Sequence, residues 1–443
     1  VDRLPDPASE YPVPVAVWQD APETADVAAD LARRLTEVEN QLERLRDAEQ
    51  RAAETASKRF TVRPFGRFHI HAASFNQDAA NKATVGDIEN GIDFRRTRLG
   101  LEGEGFDIYF YRFDVDFTTF DTSTASRPVI VDAYLDVQHL PRLGNIRVGH
   151  FREPFSLERL DSSHDLPFLE RSAPVNSLAP FRNMGIMVFD WNEAETMTWA
   201  YGFFNENTNE LGEDLNDRTG VAGTGRVTWL PWYDELAGGR YLLHLGASYS
   251  YRRVGSRAQR FNQTPEIILQ EGALQRTPSF VDTGVIRLDG YHVAGVEAST
   301  VLGSLSFQGE YVFVTGEQAN TQGMYLHGCY VEAMYWLTGE NRNFLRRQGI
   351  YGAVTPHTNF FRVDTDEGIQ TGSGAWEVAA RLSYFDLNSN NITGGELTNL
   401  TLGLNWYYAV RSRLMFNYIH SFLERGNVDS NADIFAMRFQ IGY

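Results

Sequence analysis

Between Arg59 and Tyr443 apolar and polar residues alternate along the chain. A two-residue period is that of a strand whose two faces meet different surroundings. Leu400, Leu402, Leu404, Trp406 and Tyr408 share one face, with Thr401, Gly403 and Asn405 on the other. Likewise Trp376, Val378, Ala380, Leu382 and Tyr384 oppose Glu377, Arg381 and Ser383, and Phe435, Met437, Phe439, Ile441 and Tyr443 oppose Arg438 and Gln440. Sixteen such segments fall near 60–75, 92–105, 106–118, 129–139, 144–153, 184–191, 196–204, 221–231, 241–252, 290–300, 303–314, 326–339, 374–387, 397–408, 411–424 and 432–443. Many exceed the roughly five or six residues usual in soluble sheets and are long enough to cross a bilayer at a tilt.

The connections sharpen this. Those after even-numbered segments are mostly tight, as at Gly105–Phe106, Pro141–Gly144, Asn192–Glu195, Val301–Gly303 and Ala409–Val410. Those after odd-numbered segments are mostly long: 76–91, 119–128, 154–183, 205–220, 253–289 and 315–325. Short turns at one rim and long loops at the other are the layout of an outer-membrane barrel. One connection, 340–373, is long on the short-turn side. A soluble sandwich would not explain the aromatic residues at strand ends (Trp229, Trp232, Tyr233, Tyr407, Tyr408) or a final apolar strand ending in Tyr443. The pattern predicts an all-β fold, a 16-stranded antiparallel transmembrane β-barrel over residues 59–443.

Ahead of the barrel the pattern differs. Residues 1–23 carry Pro5, Pro7, Pro12, Pro14 and Pro22 and read as an extended linker. Over 24–58, Leu31, Leu35, Val38, Leu42, Leu45, Ala52 and Ala56 recur in steps of four and three, interrupted by Glu49. That spacing predicts an N-terminal α-helical coiled coil with copies of the same chain; an amphipathic helix lying on the main domain is the alternative. The seam does not choose between dimer and trimer.

Composition changes the picture in three places. The net charge of -18 argues against nucleic-acid binding, and an anion pathway would have to rest on where charges sit rather than on their sum. Of 40 basic residues only Lys58 and Lys82 are lysine; arginine grips oxyanions bidentately, although a genome's base composition would give the same bias. The single Cys329 excludes an intrachain disulfide and a cysteine metal cluster. The opening at Val1 without a leader reads as a mature exported protein.

No catalytic constellation is present. His69 and His71 share a strand face, where lumen histidines are a better reading than a metal site. Gly220, Gly223 and Gly225 lack the spacing of a phosphate-binding loop, and Asp114 and Asp116 share their face with Arg112. The expectation is no enzyme, no cofactor and no metal. Strand phase turns Arg96, Arg98, Arg112, Arg147 and Arg381 inward. They either offer an anion successive binding positions or pair with Glu102, Asp114, Asp116, Asp132 and Asp136 and stiffen the wall.

Several stretches resemble the phosphate-selective porin O and P family of bacterial outer-membrane proteins. They are Asp93-Phe94-Arg95-Arg96-Thr97-Arg98-Leu99-Gly100, the stretch from Val148-Gly149-His150-Phe151-Arg152-Glu153-Pro154-Phe155 to Phe168-Leu169-Glu170-Arg171-Ser172, Tyr330-Val331-Glu332 to Leu337-Thr338-Gly339-Glu340, Gly374-Ala375-Trp376-Glu377-Val378-Ala379-Ala380-Arg381, and the closing Arg438-Phe439-Gln440-Ile441-Gly442-Tyr443. The resemblance implies a homotrimer in the outer membrane, surrounded by lipid and lipopolysaccharide, with both termini and a three-stranded coiled coil in the periplasm. It also implies that 154–183, 253–289 and 340–373 fold into the pore. The positions matching the family's central anion site are Arg159, Ser162, Ser163, Arg171 and Asp132. The family's phosphate-specific members carry many lysines at the pore mouths, and this chain departs from them there. The function expected is passive diffusion of small solutes, favouring anions such as phosphate. The alternatives are a general porin, or a tether from outer membrane to cell wall through the N-terminal region.

Overall fold

A computed structural model describes residues 32–47, 60–118, 128–206, 220–269, 277–319, 322–361, 363–365 and 368–443. The chain divides into two units, 1–59 and 60–443. In the first, residues 32–47 are one helix. Leu35, Val38, Leu42 and Leu45 lie along it at steps of three and four and are 63%, 54%, 50% and 65% exposed, an apolar stripe that a single chain leaves uncovered. The linker, Leu31, Ala52 and Ala56 lie outside the described residues.

The second unit is a closed antiparallel barrel of sixteen strands. They are β1 (Arg63–Gln77), β2 (Gly91–Gly105), β3 (Tyr109–Asp116), β4 (Val129–Leu140), β5 (Gly144–Arg152), β6 (Arg182–Trp191), β7 (Met197–Glu206) and β8 (Gly220–Tyr233). β9 (Tyr241–Arg253), β10 (Ile286–Leu302), β11 (Leu305–Gln318), β12 (Gly323–Trp336), β13 (Ala375–Ser389), β14 (Ile392–Ala409), β15 (Ser412–Arg425) and β16 (Val428–Gly442) complete it. β1 closes the ring by pairing with β16, from Arg67 opposite Gly442 to Gln77 opposite Ala432. Closure leaves no strand edge, as backbone groups in hydrocarbon require.

Every strand expected from the period is present, but several run further. β14 reaches 18 residues, the connection read as 315–325 shrinks to 319–322, and β13–β14 and β15–β16 join through two residues each, 390–391 and 426–427. Outward positions are apolar, with aromatic rings toward both rims: Trp229, Trp232, Tyr241 and Tyr335 at the short-turn end, Tyr249, Tyr251 and Tyr325 at the other. Two aromatic residues expected there point inward instead. Tyr407 has the phase of Asn405 and packs its ring at a tilt against Trp336; a bulge between Trp229 and Trp232 swings Tyr233 beneath Arg346.

The lumen is occupied by chain from three places. The loop after β5, residues 153–181, carries two short helices, Leu157–Leu160 and Ala173–Leu178. It is almost wholly buried: Phe155, Leu157, Phe168 and Leu169 are each 0% exposed. Leu157 packs with Leu230, Leu242 and Val301, Phe168 with Met334 and Ala379, and Leu169 with Met415, Ile419 and Ile434. The loop therefore touches β8–β10, β12–β13 and β15–β16. Residues 264–269, from the loop after β9, place Glu266 against Arg381, Ser383 and Thr401 of the wall. The long turn after β12 folds inward through a hairpin, Asn343–Leu345 with Ile350–Gly352. At its tip Gly349 has φ 62° and lies between Thr228 and Thr198, where a side chain would have no room.

The outward–inward split makes a depth-dependent prediction. Val296→Arg, outward near the middle of β10, should destabilise the barrel by about 2–4 kcal/mol, and Leu302→Arg at the rim by about 0–1 kcal/mol. Urea unfolding in lipid vesicles measures both; equal costs would contradict a transmembrane β10.

Candidate functional site

Two carboxylates clamp the inserted loop, one at its start and one ahead of its second helix. Glu153 accepts both oxygens' worth of bonds from Arg252 at 2.9 Å, with Asn183 and Thr224 also donating. Glu170 accepts from Arg95 at 2.8 Å, from Arg438 at 3.3 Å and from Arg96 at 3.4 Å. A register shift between His69 and Ile70 lets consecutive Arg95 and Arg96 both face inward. Period-two reading misses such a bulge.

The five wall arginines expected to face inward do so, and each is paired with a carboxylate. Arg98 meets Asp116 at 2.6 Å, and Arg112 meets Glu102 at 2.7 Å. Arg147 holds Asp136 bidentately at 2.7 and 2.8 Å with its guanidinium over Tyr134. Arg96 meets Glu170. Arg381, 2% exposed, touches Glu266 at 2.5 Å, Glu158 at 3.1 Å and Glu332 at 3.8 Å. Of the two uses open for these side chains, this geometry is that of a cross-braced wall. Three of the acids anticipated as partners, Glu102, Asp116 and Asp136, take that role, and Asp114 lies 3.7 Å from Arg112.

A second set of arginines is held differently. Arg159 donates to Pro180 O at 3.2 Å and Asn176 Oδ1 at 2.8 Å, with its guanidinium 3.9 Å above the Phe181 ring. Arg171 donates to the backbone oxygens of Glu158 at 2.8 Å and Asp161 at 2.6 Å. Arg152, at the end of β5, donates to the backbone oxygens of Leu160 and Asp161. Arg67 donates to Ser162 Oγ at 3.3 Å, with its nearest carboxylate, Asp114, at 4.0 Å. Carbonyls and hydroxyls orient these guanidiniums without cancelling their charge. Among the described residues, Arg152, Arg159 and Arg171 make no ion pair.

The positions matched to the family's anion site sit in and around this group. Arg159, Ser162, Ser163 and Arg171 share the inserted loop; Ser163 is 3% exposed, and its hydroxyl has no hydrogen-bond partner. Asp132 is held bidentately by Arg182 at 2.9 and 3.1 Å, which spends its charge on a neighbour of the cluster. Sequence reading missed Arg67 and Arg152. Arg67 has the strand phase of His69 and His71, a usable signal; Arg152 becomes part of the group only because 158–161 folds back over it. The two histidines are lumen residues: His69 bonds His164 at 3.0 Å, and His71 accepts from Arg438 at 2.7 Å. The described residues hold no cluster of three or more metal-ligating side chains. Deeper in the loop, burial pushes the Asp161 carboxyl up to about 7, opposed by Arg342 at 3.4 Å.

The structure resembles the anion-selective porin from Comamonas acidovorans (TM-score 0.50, 13% identity, covering 86% of this chain and 100% of that one). It also resembles a loop-deletion form of OmpT, an outer-membrane protein of Vibrio cholerae (TM-score 0.52, 12% identity, covering 86% and 99%). At such identities the likeness is one of fold. An uncharacterized protein of Caulobacter vibrioides is 26% identical over 341 residues, which is 74% of this chain and 62% of that protein. The family of phosphate-selective porins O and P matches residues 63–443, the whole barrel. The chain thus belongs to the phosphate-selective porin O and P family, whose model spans the barrel.

Proposed function

We propose that the barrel passes small hydrophilic solutes by passive diffusion with a preference for anions, set where the inserted loop meets β1 and β5. The observation that carries this is the difference between the two sets of arginines. Ion-paired guanidiniums present little net charge to a passing solute. Those of Arg67, Arg152, Arg159 and Arg171 are oriented by neutral oxygens and keep theirs. An anion there exchanges part of its hydration shell for N–H donors, with the Ser162 and Ser163 hydroxyls beside them. Phosphate or a similar oxyanion fits this donor set, since guanidinium forks match its oxygens. The scarcity of lysine favours local recognition over an electrostatic sink at the mouths. The name of the Comamonas porin is in keeping with an anion preference.

In the same proposal the barrel works as a homotrimer, and the stripe Leu35, Val38, Leu42 and Leu45 pairs with its copies as a periplasmic coiled coil. That rod would tether the outer membrane to the cell wall while lipid and lipopolysaccharide surround the barrel. A general porin without phosphate preference remains the second reading.

Zero-current potentials in a salt gradient across planar bilayers test the preference. The parent channel should be anion-selective; Arg152→Ala and Arg171→Ala should each lower the anion-to-cation permeability ratio several-fold (about 1 kcal/mol of site energy). Arg98→Ala and Arg147→Ala should change it little, and a cation-selective parent would reject the proposal. Phosphate added at about micromolar to millimolar levels should block chloride current in the parent and fail to do so in Arg171→Ala; absence of block in the parent rejects phosphate and leaves the general porin. Deleting residues 1–57 should leave single-channel conductance unchanged and abolish cosedimentation with cell-wall sacculi; unchanged cosedimentation would contradict the tether.

A further inference from the structure

We propose that the first helical turn of the inserted loop, Leu157–Leu160, is held in the lumen by a lock that needs protons, so that the channel changes conductance as pH rises. The lock follows the Glu153 clamp along the loop, where loop and wall bring like charges together. The Glu158 backbone N–H donates to Glu310 Oε1 of β11 at 2.7 Å. The Glu158 carboxylate accepts from Ser172 and from Arg381 of β13. Arg381 is already shared with Glu266 from the loop after β9 and with Glu332 of β12. One residue turn further, Asp161 accepts from Arg342 and from the Tyr351 N–H of the long turn.

Charge counting shows why protons are needed. Five carboxyls, of Glu158, Asp161, Glu266, Glu310 and Glu332, share two ion-pairing guanidiniums, of Arg342 and Arg381, while Arg171 donates to the backbone oxygens of Glu158 and Asp161. All five acids are 5% exposed or less, and neither carboxyl oxygen of Glu332 has a hydrogen-bond partner. The groups beyond do not supply the missing charge. Tyr330 donates to Glu310, Glu297 is spent on Arg226 and His244, and Glu377 adds a further acid near Arg342. Excess negative charge without water is expensive enough that carboxyls take up protons instead. The two loop acids agree in direction: burial raises Glu158, and Asp161 reaches about 7.

The sign follows from that. Protons bound by these acids in the folded loop stabilise its inserted position; as pH rises through and above neutrality they are lost, and the stability they lend goes with them. Glu158 is then repelled by Glu310 and Glu332 while Arg381 stays with Glu266. The clamps on either side keep their own guanidiniums, Arg252 for Glu153 and Arg95 and Arg438 for Glu170. Release is therefore confined to the turn between them and leaves the rest of the loop in place.

Single-channel recordings of the full-length protein from about pH 6 to about pH 9 test this. The parent should show a reversible rise in conductance and open-channel noise toward alkaline pH. The double variant E310Q/E332Q keeps an oxygen for the Glu158 N–H and should hold its neutral-pH conductance across the range. If the double variant does not assemble, Glu332→Gln alone, which breaks no hydrogen bond, should move the transition to higher pH. A parent flat across the range overturns the lock, as does a transition unmoved in these variants. Ion selectivity is read separately from the zero-current potential, so failure of the lock and failure of the anion preference are distinguishable.

Discussion

A loop carried inside a barrel must satisfy its charges and backbone groups against a wall rather than against water, and buried arginine–carboxylate contacts do that here. Glu153 fixes the start of the loop to β9, and Glu170 fixes the stretch ahead of its second helix to β2 and β16. Removing one partner of such a contact leaves an uncompensated buried charge, at a cost of about 3–5 kcal/mol, so the loop position is strongly specified. With Glu153 and Glu170 fixed on either side, the carbonyls of 158–161 are presented to Arg152 and Arg171. The pore's chemistry is set by the anchoring as much as by the residues that line it.

Arginine has two uses in this lumen, and the same side chain serves both because its charge does not titrate away. Where a carboxylate lies opposite on a neighbouring strand, as for Arg98 with Asp116 or Arg147 with Asp136, the pair braces the barrel. Where only carbonyls, an amide or a hydroxyl face it, the guanidinium stays charged and directed. A chain with net charge -18 is compatible with the proposed cationic constriction, because most of its lumen acids are committed to particular arginines or, around Glu158, exceed them.

The barrel was legible because a period of two is enforced wherever lipid lies on one side and polar lumen on the other. All sixteen strands follow from it, as does the inward phase of Arg98, Arg112, Arg147 and Arg381. The period says nothing where it is broken. The bulge opposite His69 and Ile70 turns Arg95 inward beside Arg96, which follows from phase, and the one after Trp229 moves Tyr233. Nor could phase tell a bracing arginine from a charged one, since the deciding partners are remote in sequence: Glu266 for Arg381, Asp161 for Arg342, the 158–161 carbonyls for Arg152 and Arg171. The loop residues Arg159, Ser162, Ser163 and Arg171 were reached through family resemblance, not through any pattern of their own.

Under the proposed function the cluster of uncancelled guanidiniums is a discrete site where anions pause, not a diffuse positive wall. Single-channel conductance measured against chloride concentration tests it most directly. A site predicts conductance that saturates as occupancy fills, with the saturation lost when Arg152 and Arg171 are both replaced by alanine. Conductance rising in proportion to bulk conductivity, in parent and variant alike, would contradict it.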